Sequence, residues 1–81
     1  MSTFQLDVIS PDRTLFSGAV QSVQLPGVEG SFEVLLDHAA LISPLEAGAV
    51  RLRDAQGQAQ AIDVQGGVVE VLNNHVVVLV S

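Results

Sequence analysis

The chain has no cysteine, no lysine, no tryptophan and no tyrosine, and its longest apolar run, Val76 to Val80, is five residues. Each absence excludes something. Without cysteine there are no disulfides and no thiolate metal sites. Three arginines and no lysine, against nine acids and a net charge of -6, cannot make the basic stripe that nucleic acid or an anionic lipid surface requires. Two histidines far apart in sequence could complete a three-ligand zinc site only with scattered carboxylates. A five-residue apolar run is far short of the roughly 20 residues that span a bilayer. Met1 to Ser10 has neither a positive region nor an apolar one, so it does not read as a signal peptide. With 4% aromatic residues, Phe4, Phe16 and Phe32, the core must be aliphatic.

What is present is a small, acidic, valine-rich chain of 81 residues, 48% of them hydrophobic. That length fits one domain, residues 1–81. Its expected stability is about 4–12 kcal/mol, at ~0.05–0.15 kcal/mol per residue.

The hydrophobic period is two almost throughout. Phe4, Leu6 and Val8 alternate with Gln5, Asp7 and Ile9, and Pro11-Asp12 ends that strand. Arg13 to Ser17 and Ala19 to Leu25 read as strands either side of a bulge or bend at Gly18. Pro26-Gly27 and Gly30 mark a loop. Ser31 to Leu35 alternates again. In the non-alternating stretch Leu36 to Ala40, Asp37 could cap a short turn of helix. Leu41 to Leu45 contains Pro44, so it reads as an edge strand or a brief one. Ala49 to Arg53 and Gln58 to Val64 flank the loop Asp54 to Gly57. Gly66-Gly67 is a second permissive site. Val68 to Leu72 and His75 to Val80 flank Asn73-Asn74, a pair suited to a tight hairpin. The last strand is apolar on both sides, as a centrally buried strand is. Eight to ten short strands with no helical stretch predict an all-β fold, an antiparallel β-sandwich or flattened barrel.

Residues with chemistry are sparse. Glu29, Glu33 and Asp37 are spaced by four, but a strand places them on a loop and a solvent face rather than across a cleft. Ser31 or Ser43 with His38 and Asp37 could supply a nucleophile and base, but there is no G-x-S-x-G elbow. Gly27 to Gly30 and Gly66-Gly67 lack the following helix and lysine of a phosphate loop. His38 reads either as a turn residue bonded to backbone or as a partner contact on a loop. His75 reads as an exposed strand start. Arg51 and Arg53 share one strand face and concentrate what positive charge there is.

Several segments together resemble the epsilon subunit of F-type ATP synthases. They are Leu6-Asp7-Val8-Ile9-Ser10-Pro11, Leu15-Phe16-Ser17-Gly18-Ala19-Val20, and Pro26-Gly27-Val28-Glu29-Gly30-Ser31-Phe32. His38-Ala39-Ala40-Leu41-Ile42, Leu45-Glu46-Ala47-Gly48 and Val64 to Val71 follow in order and spacing. The family commonly has proline where this chain has Ala40.

The resemblance implies a β-sandwich of about ten strands in the central stalk of the complex, a rotor element with no active site, no cofactor, no metal and no nucleotide site. It implies two partners, the gamma subunit and the c-ring. The loop Val28, Glu29, Gly30 and Ser31 matches the family's c-ring-facing loop, and Ser10, His38 and Ser43 match positions on the gamma-facing side. Many epsilon subunits continue into a C-terminal helical hairpin that inhibits ATP hydrolysis, which these 81 residues do not contain. The implied location is a peripheral complex on the cytoplasmic face of a bacterial plasma membrane, ahead of a chloroplast thylakoid. The competing readings are a free-standing module binding a peptide or sugar along a sheet edge, and a small hydrolase. The lack of tryptophan and tyrosine counts against sugar, and the missing nucleophile constellation against a hydrolase.

Overall fold

The computed structural model describes residues 2–81. Eight strands follow one another: β1 (Phe4–Ile9), β2 (Thr14–Leu25), β3 (Phe32–Val34), β4 (Leu41–Leu45), β5 (Gly48–Asp54), β6 (Ala59–Val64), β7 (Gly67–Leu72) and β8 (His75–Val80). Hydrogen bonding runs in the order β4-β7-β8-β1-β2-β5-β6, with β3 on the other side of β2. The twelve-residue β2 belongs to two layers. Its first half pairs with β1, and its second half pairs with β3 and β5. One layer is therefore β4-β7-β8-β1-β2, and the other is β3-β2-β5-β6. The shortest dimension of the molecule is 18 Å, which suits two sheets ~10 Å apart with side chains outside them.

The core follows from the alternation. Phe4, Leu6, Val8, Val20, Val69, Val71, Val76, Val78 and Val80 come from the first layer. They meet Val23, Leu25, Val34, Val50, Leu52 and Val64 from the second, and none of the described polar residues is buried.

The all-β sandwich expected from the sequence is present, with differences in detail. The described residues form eight strands, and the sheet they make does not close into a barrel. A single bridge between Gly27 and Leu45 links the far end of β2 to β4, and β6 ends the other side unpaired. One pair, β1 with β8, is parallel rather than antiparallel. A parallel pair joins segments distant in sequence, here the first strand and the last, and so leaves no hairpin signal.

Gly18 is not the bulge. Register shifts at Leu15, facing β1, and at Gln21, facing β5, divide β2 instead. A bulged residue in the right-handed region needs no glycine, so the permissive residue misplaced it. Asp37 caps no helix; it stands at a φ of 63° in a turn closed by the His38 amide and the Leu35 carbonyl. The loop between β5 and β6 is Ala55 to Gly57, closed by Asp54 and Gln58 and completed by Gly57 at a φ of 84°. The Asn73-Asn74 hairpin is as expected, with φ of 51° and 60°. Pro44 does lie on an edge strand. β8 is central in its layer, but only one of its faces is covered.

Candidate functional site

The two outer faces differ, and strand register shows why. On the first layer, one row across the sheet is Pro44, Val68, Leu79, Ile9 and Thr14. The next is Ile42, Glu70, Val77, Asp7 and Ser17. A third is Leu72, His75, Gln5 and Ala19. This face exposes large aliphatic groups: Ile42 at 71%, Leu72 at 51% and Leu79 at 49%. The outer face of the second layer instead carries Ser22, Gln24, Glu33, Arg51 and Arg53. Three exposed aliphatic side chains, one in each row, set this face apart from the polar outer face of the second layer.

In the middle of the first face lies a polar cluster that sequence spacing did not show. The Asp7 carboxylate accepts a hydrogen bond from the Ser17 hydroxyl at Oδ1 and contacts His75 Nε2 through Oδ2 at 2.6 Å. Gln5 Nε2 also reaches Asp7 Oδ1, at 3.3 Å. The Ser17 hydrogen bond, and next the His75 one, hold the Asp7 pKa below 3.8 against the opposing effect of burial. Serine and histidine both bind the carboxylate and not each other, so histidine has no hydroxyl to activate and the order is not that of a nucleophilic triad. The parallel β1–β8 pair creates this cluster by placing Gln5 beside His75. The sole hint in the sequence was a histidine at the start of a strand.

The positions singled out from the sequence are spread over the first layer: the loop and Ser43 lie by β4, His38 by the end of the β7–β8 hairpin, and Ser10 three strands from β4, after β1. Val28, Glu29, Gly30 and Ser31 form one exposed loop. The Gly30 amide donates to the Gly27 carbonyl at 3.0 Å, and the Val28 amide to that of Pro44 at 3.3 Å. Gly30 stands at a φ of 125°, a conformation that side chains resist. The loop shares one end of the first layer with Leu45, Gly67 and Val80, which register pairs in sequence. Ser10 follows β1 at that same end, because β1 and β8 run parallel. Its hydroxyl donates to the Arg13 carbonyl at 3.0 Å.

Ser43 lies halfway along the free edge, opposite Val69. His38 is at the other end, in the turn that Asn74 ties down. The Asp37 amide donates to Asn74 Oδ1 at 2.7 Å, and Asn74 Nδ2 donates to Asp37 Oδ1 at 3.0 Å. His38 Nδ1 lies 2.7 Å from the Ala39 carbonyl. Ser10 and His38 are thus separated by about the length of β1, roughly 17 Å for five residues. The loop is gathered into one site, whereas Ser10, Ser43 and His38 stand apart on different strands and at different ends of the layer.

Among the described residues, no group of three or more histidine, aspartate or glutamate side chains could hold a metal ion. No helix among them is long and apolar enough to cross a membrane. The fold and its surfaces define a two-layer β-sandwich with one partly aliphatic outer face and an exposed glycine-containing loop.

That description has a family. Residues 3–81 match the ATP synthase delta/epsilon chain β-sandwich domain, and the chain belongs to that family. It is 43% identical over 79 residues to the ATP synthase epsilon chain of Rhodopseudomonas palustris (strain BisB18), covering 98% of this chain and 58% of that one. It is 39% identical over 81 residues to the epsilon chain of Sulfurimonas denitrificans, of which it covers 62%. To the epsilon chain of Chlorobium limicola it is 37% identical over 76 residues, covering 94% of this chain and 86% of that one. The chain therefore spans about three-fifths of the length of the first two relatives.

Among solved structures, a chain of the Euglena gracilis mitochondrial ATP synthase matches 99% of this chain with a TM-score of 0.91 at 18% identity, using 51% of its own length. A chain of the central stalk and c-ring assembly of Tetrahymena thermophila mitochondrial ATP synthase matches 94%, with a TM-score of 0.77 at 18% identity and 61% of its own length. At that identity the likeness shows the fold.

Proposed function

We propose that the chain is a central-stalk element of an F-type ATP synthase that couples the gamma subunit to the c-ring. The observation that carries this reading is the family match over residues 3–81. The physical picture is a mechanical one. Two sheets clamped over an aliphatic core make a stiff body, and torque passes through the contacts on its surface. The loop Val28–Ser31 faces the c-ring, and Ser10, Ser43 and His38 face gamma. Ile42, Leu72 and Leu79 lie on the outer face of the first layer, so covering them is a source of affinity. The chain has no active site of its own in this reading. It stands on the cytoplasmic face of a bacterial plasma membrane, held there by the complex.

Titration with isolated gamma subunit tests the first contact. Binding with a Kd in the micromolar range or better is expected, and no binding at tens of micromolar (about -6 kcal/mol or weaker) overturns the proposal. In an assembled complex, a cross-linker at Glu29 is expected to capture a c subunit and one at Ser43 to capture gamma. Exchange of those two products would overturn the assignment of sides.

A further inference from the structure

The free edge of β6 and the arginine face beside it fit a ligand that the stalk reading does not use. β6 pairs with β5 alone and ends the sheet. The Asp54 amide donates to the Gln58 carbonyl at 2.9 Å, which sets the phase of the ladder. In an antiparallel pair the bonded residues alternate. Gln60, Ile62 and Val64 therefore turn their backbone groups toward β5, and Ala59, Ala61 and Asp63 turn theirs outward to the unpaired side.

Those outward residues share a face with the arginines: Ala59 lies opposite Arg53, and Ala61 opposite Arg51. Both alanines are exposed. Nothing longer than a methyl group stands between the sheet edge and the two guanidinium groups. Arg51, Arg53, Ala59 and Ala61 are among the residues that line an open trough of about 380 Å³ there, with Glu33 at its far side, beyond Gln24 from Arg51. Arg53 Nη1 donates to the Gly57 carbonyl at 2.7 Å. Arg51 makes no hydrogen bond or ion pair among the described residues.

We infer that β6 accepts an extended acidic peptide segment as an added antiparallel strand, with its acids at alternate positions read by Arg51 and Arg53. A strand laid on this edge bonds to Ala59, Ala61 and Asp63, and its residues opposite them share the arginine face. Alternate residues of a strand repeat every ~6.6 Å, which is also the spacing along β5 from Arg51 to Arg53. Acids opposite Ala61 and Ala59 thus meet the arginines across small neighbours. The position opposite Asp63 favours a base, because like charges directly opposite repel. The position opposite Ile62 turns toward the core side and favours an aliphatic residue.

Charge complementarity selects this edge. Two of the three cations of a chain with net charge -6 sit here. The β4 edge of the first layer has Pro44 and no arginine, and β3 is three residues long and carries Glu33. β6 also lacks the lysine, proline or bulge that commonly blunts an edge.

The test is a titration of the chain with the peptide acetyl-Thr-Lys-Val-Glu-Val-Glu-Thr-amide at about 50 mM salt, where exposed charges are little screened. Amide NMR signals report the site. Binding with a Kd near or below about 1 mM is expected, with the largest shifts at Ala59, Ala61 and Asp63. The double substitution Arg51→Gln with Arg53→Gln is expected to weaken it about tenfold. Ala61→Pro removes an outward amide that no internal bond uses, and is expected to abolish binding. N-methylation of the peptide at its first glutamate does the same without altering the protein. Equal binding of a scrambled peptide, equal binding after the arginine substitutions, shifts on another edge, or no saturation would each overturn the inference.

Discussion

At the scale of single residues, the interactions of most consequence join side chains remote in sequence. Asp7 is held as a carboxylate by Ser17 and His75, with its pKa lowered. Its contribution to folding is therefore present above the unfolded value of 3.8 and is lost as pH falls through the lower folded value. Asp7→Asn should cost about 1 kcal/mol at neutral pH. That gap should close as the medium is acidified below pH 3.8, which urea unfolding of both proteins at several pH values would show. A gap that persisted or grew in acid would rule this account out.

Gly67 makes the opposite kind of demand. Its φ is 153°, and a Cβ there would come within 2.1 Å of the Leu79 carbonyl oxygen on the paired strand. Gly67→Ala should destabilise the fold by about 3 kcal/mol or more, from strained torsion and a clash with backbone. At Gly18 an added methyl group meets only Phe16 at 3.6 Å, so Gly18→Ala should cost less than about 1 kcal/mol. Thermal melts of the two variants separate these cases.

At the scale of elements, turn chemistry was legible in the sequence and strand partners were not. Asn73-Asn74 announced a hairpin because both residues tolerate positive φ, and both adopt it. What the pair does beyond turning required the structure. Asn74 exchanges two hydrogen bonds with Asp37 and fastens the loop that carries His38 to the end of the β7–β8 hairpin. Asn74→Gly keeps the turn and removes only the fastening. It should lower global stability by about 1 kcal/mol or less while raising amide exchange at Asp37 and His38 well above that of the β-strands. Unchanged exchange at Asp37 would deny Asn74 this role. The β2 bulges lay beyond reading because register shifts at Leu15 and Gln21 use ordinary residues.

At the scale of the molecule, the first and last strands lie side by side. Gln5 to Ile9 pair with His75 to Leu79, so the first layer has a gap until the C-terminal strand arrives. Val76, Val78 and Val80 are core residues on that strand. Removing residues 75–81 should abolish the cooperative unfolding transition, because β7 and β1 lose their shared neighbour and the core loses three side chains. A sharp melt in the shortened chain would contradict this. Folding should be slow for the size, in the millisecond to second range, since the closing contact spans nearly the whole sequence.

The amino-acid sequence by itself determined the class of fold and the chemistry that the molecule lacks. Period-two alternation, with glycine, proline and asparagine at the turns, specifies strands locally, and composition needs no geometry. It also carried the family likeness, including the loop Val28–Ser31, because those are contiguous segments. Only the tertiary structure decided which strands meet, that Asp7 finds His75, that Ile42, Leu72 and Leu79 share one outer face, and that Arg51 and Arg53 stand beside an unpaired edge. The physical reason is that alternation states that a residue lies on one of two faces but not which strand lies beside it. Pairing between distant strands is settled by how one shared core closes, a property of the whole chain at once.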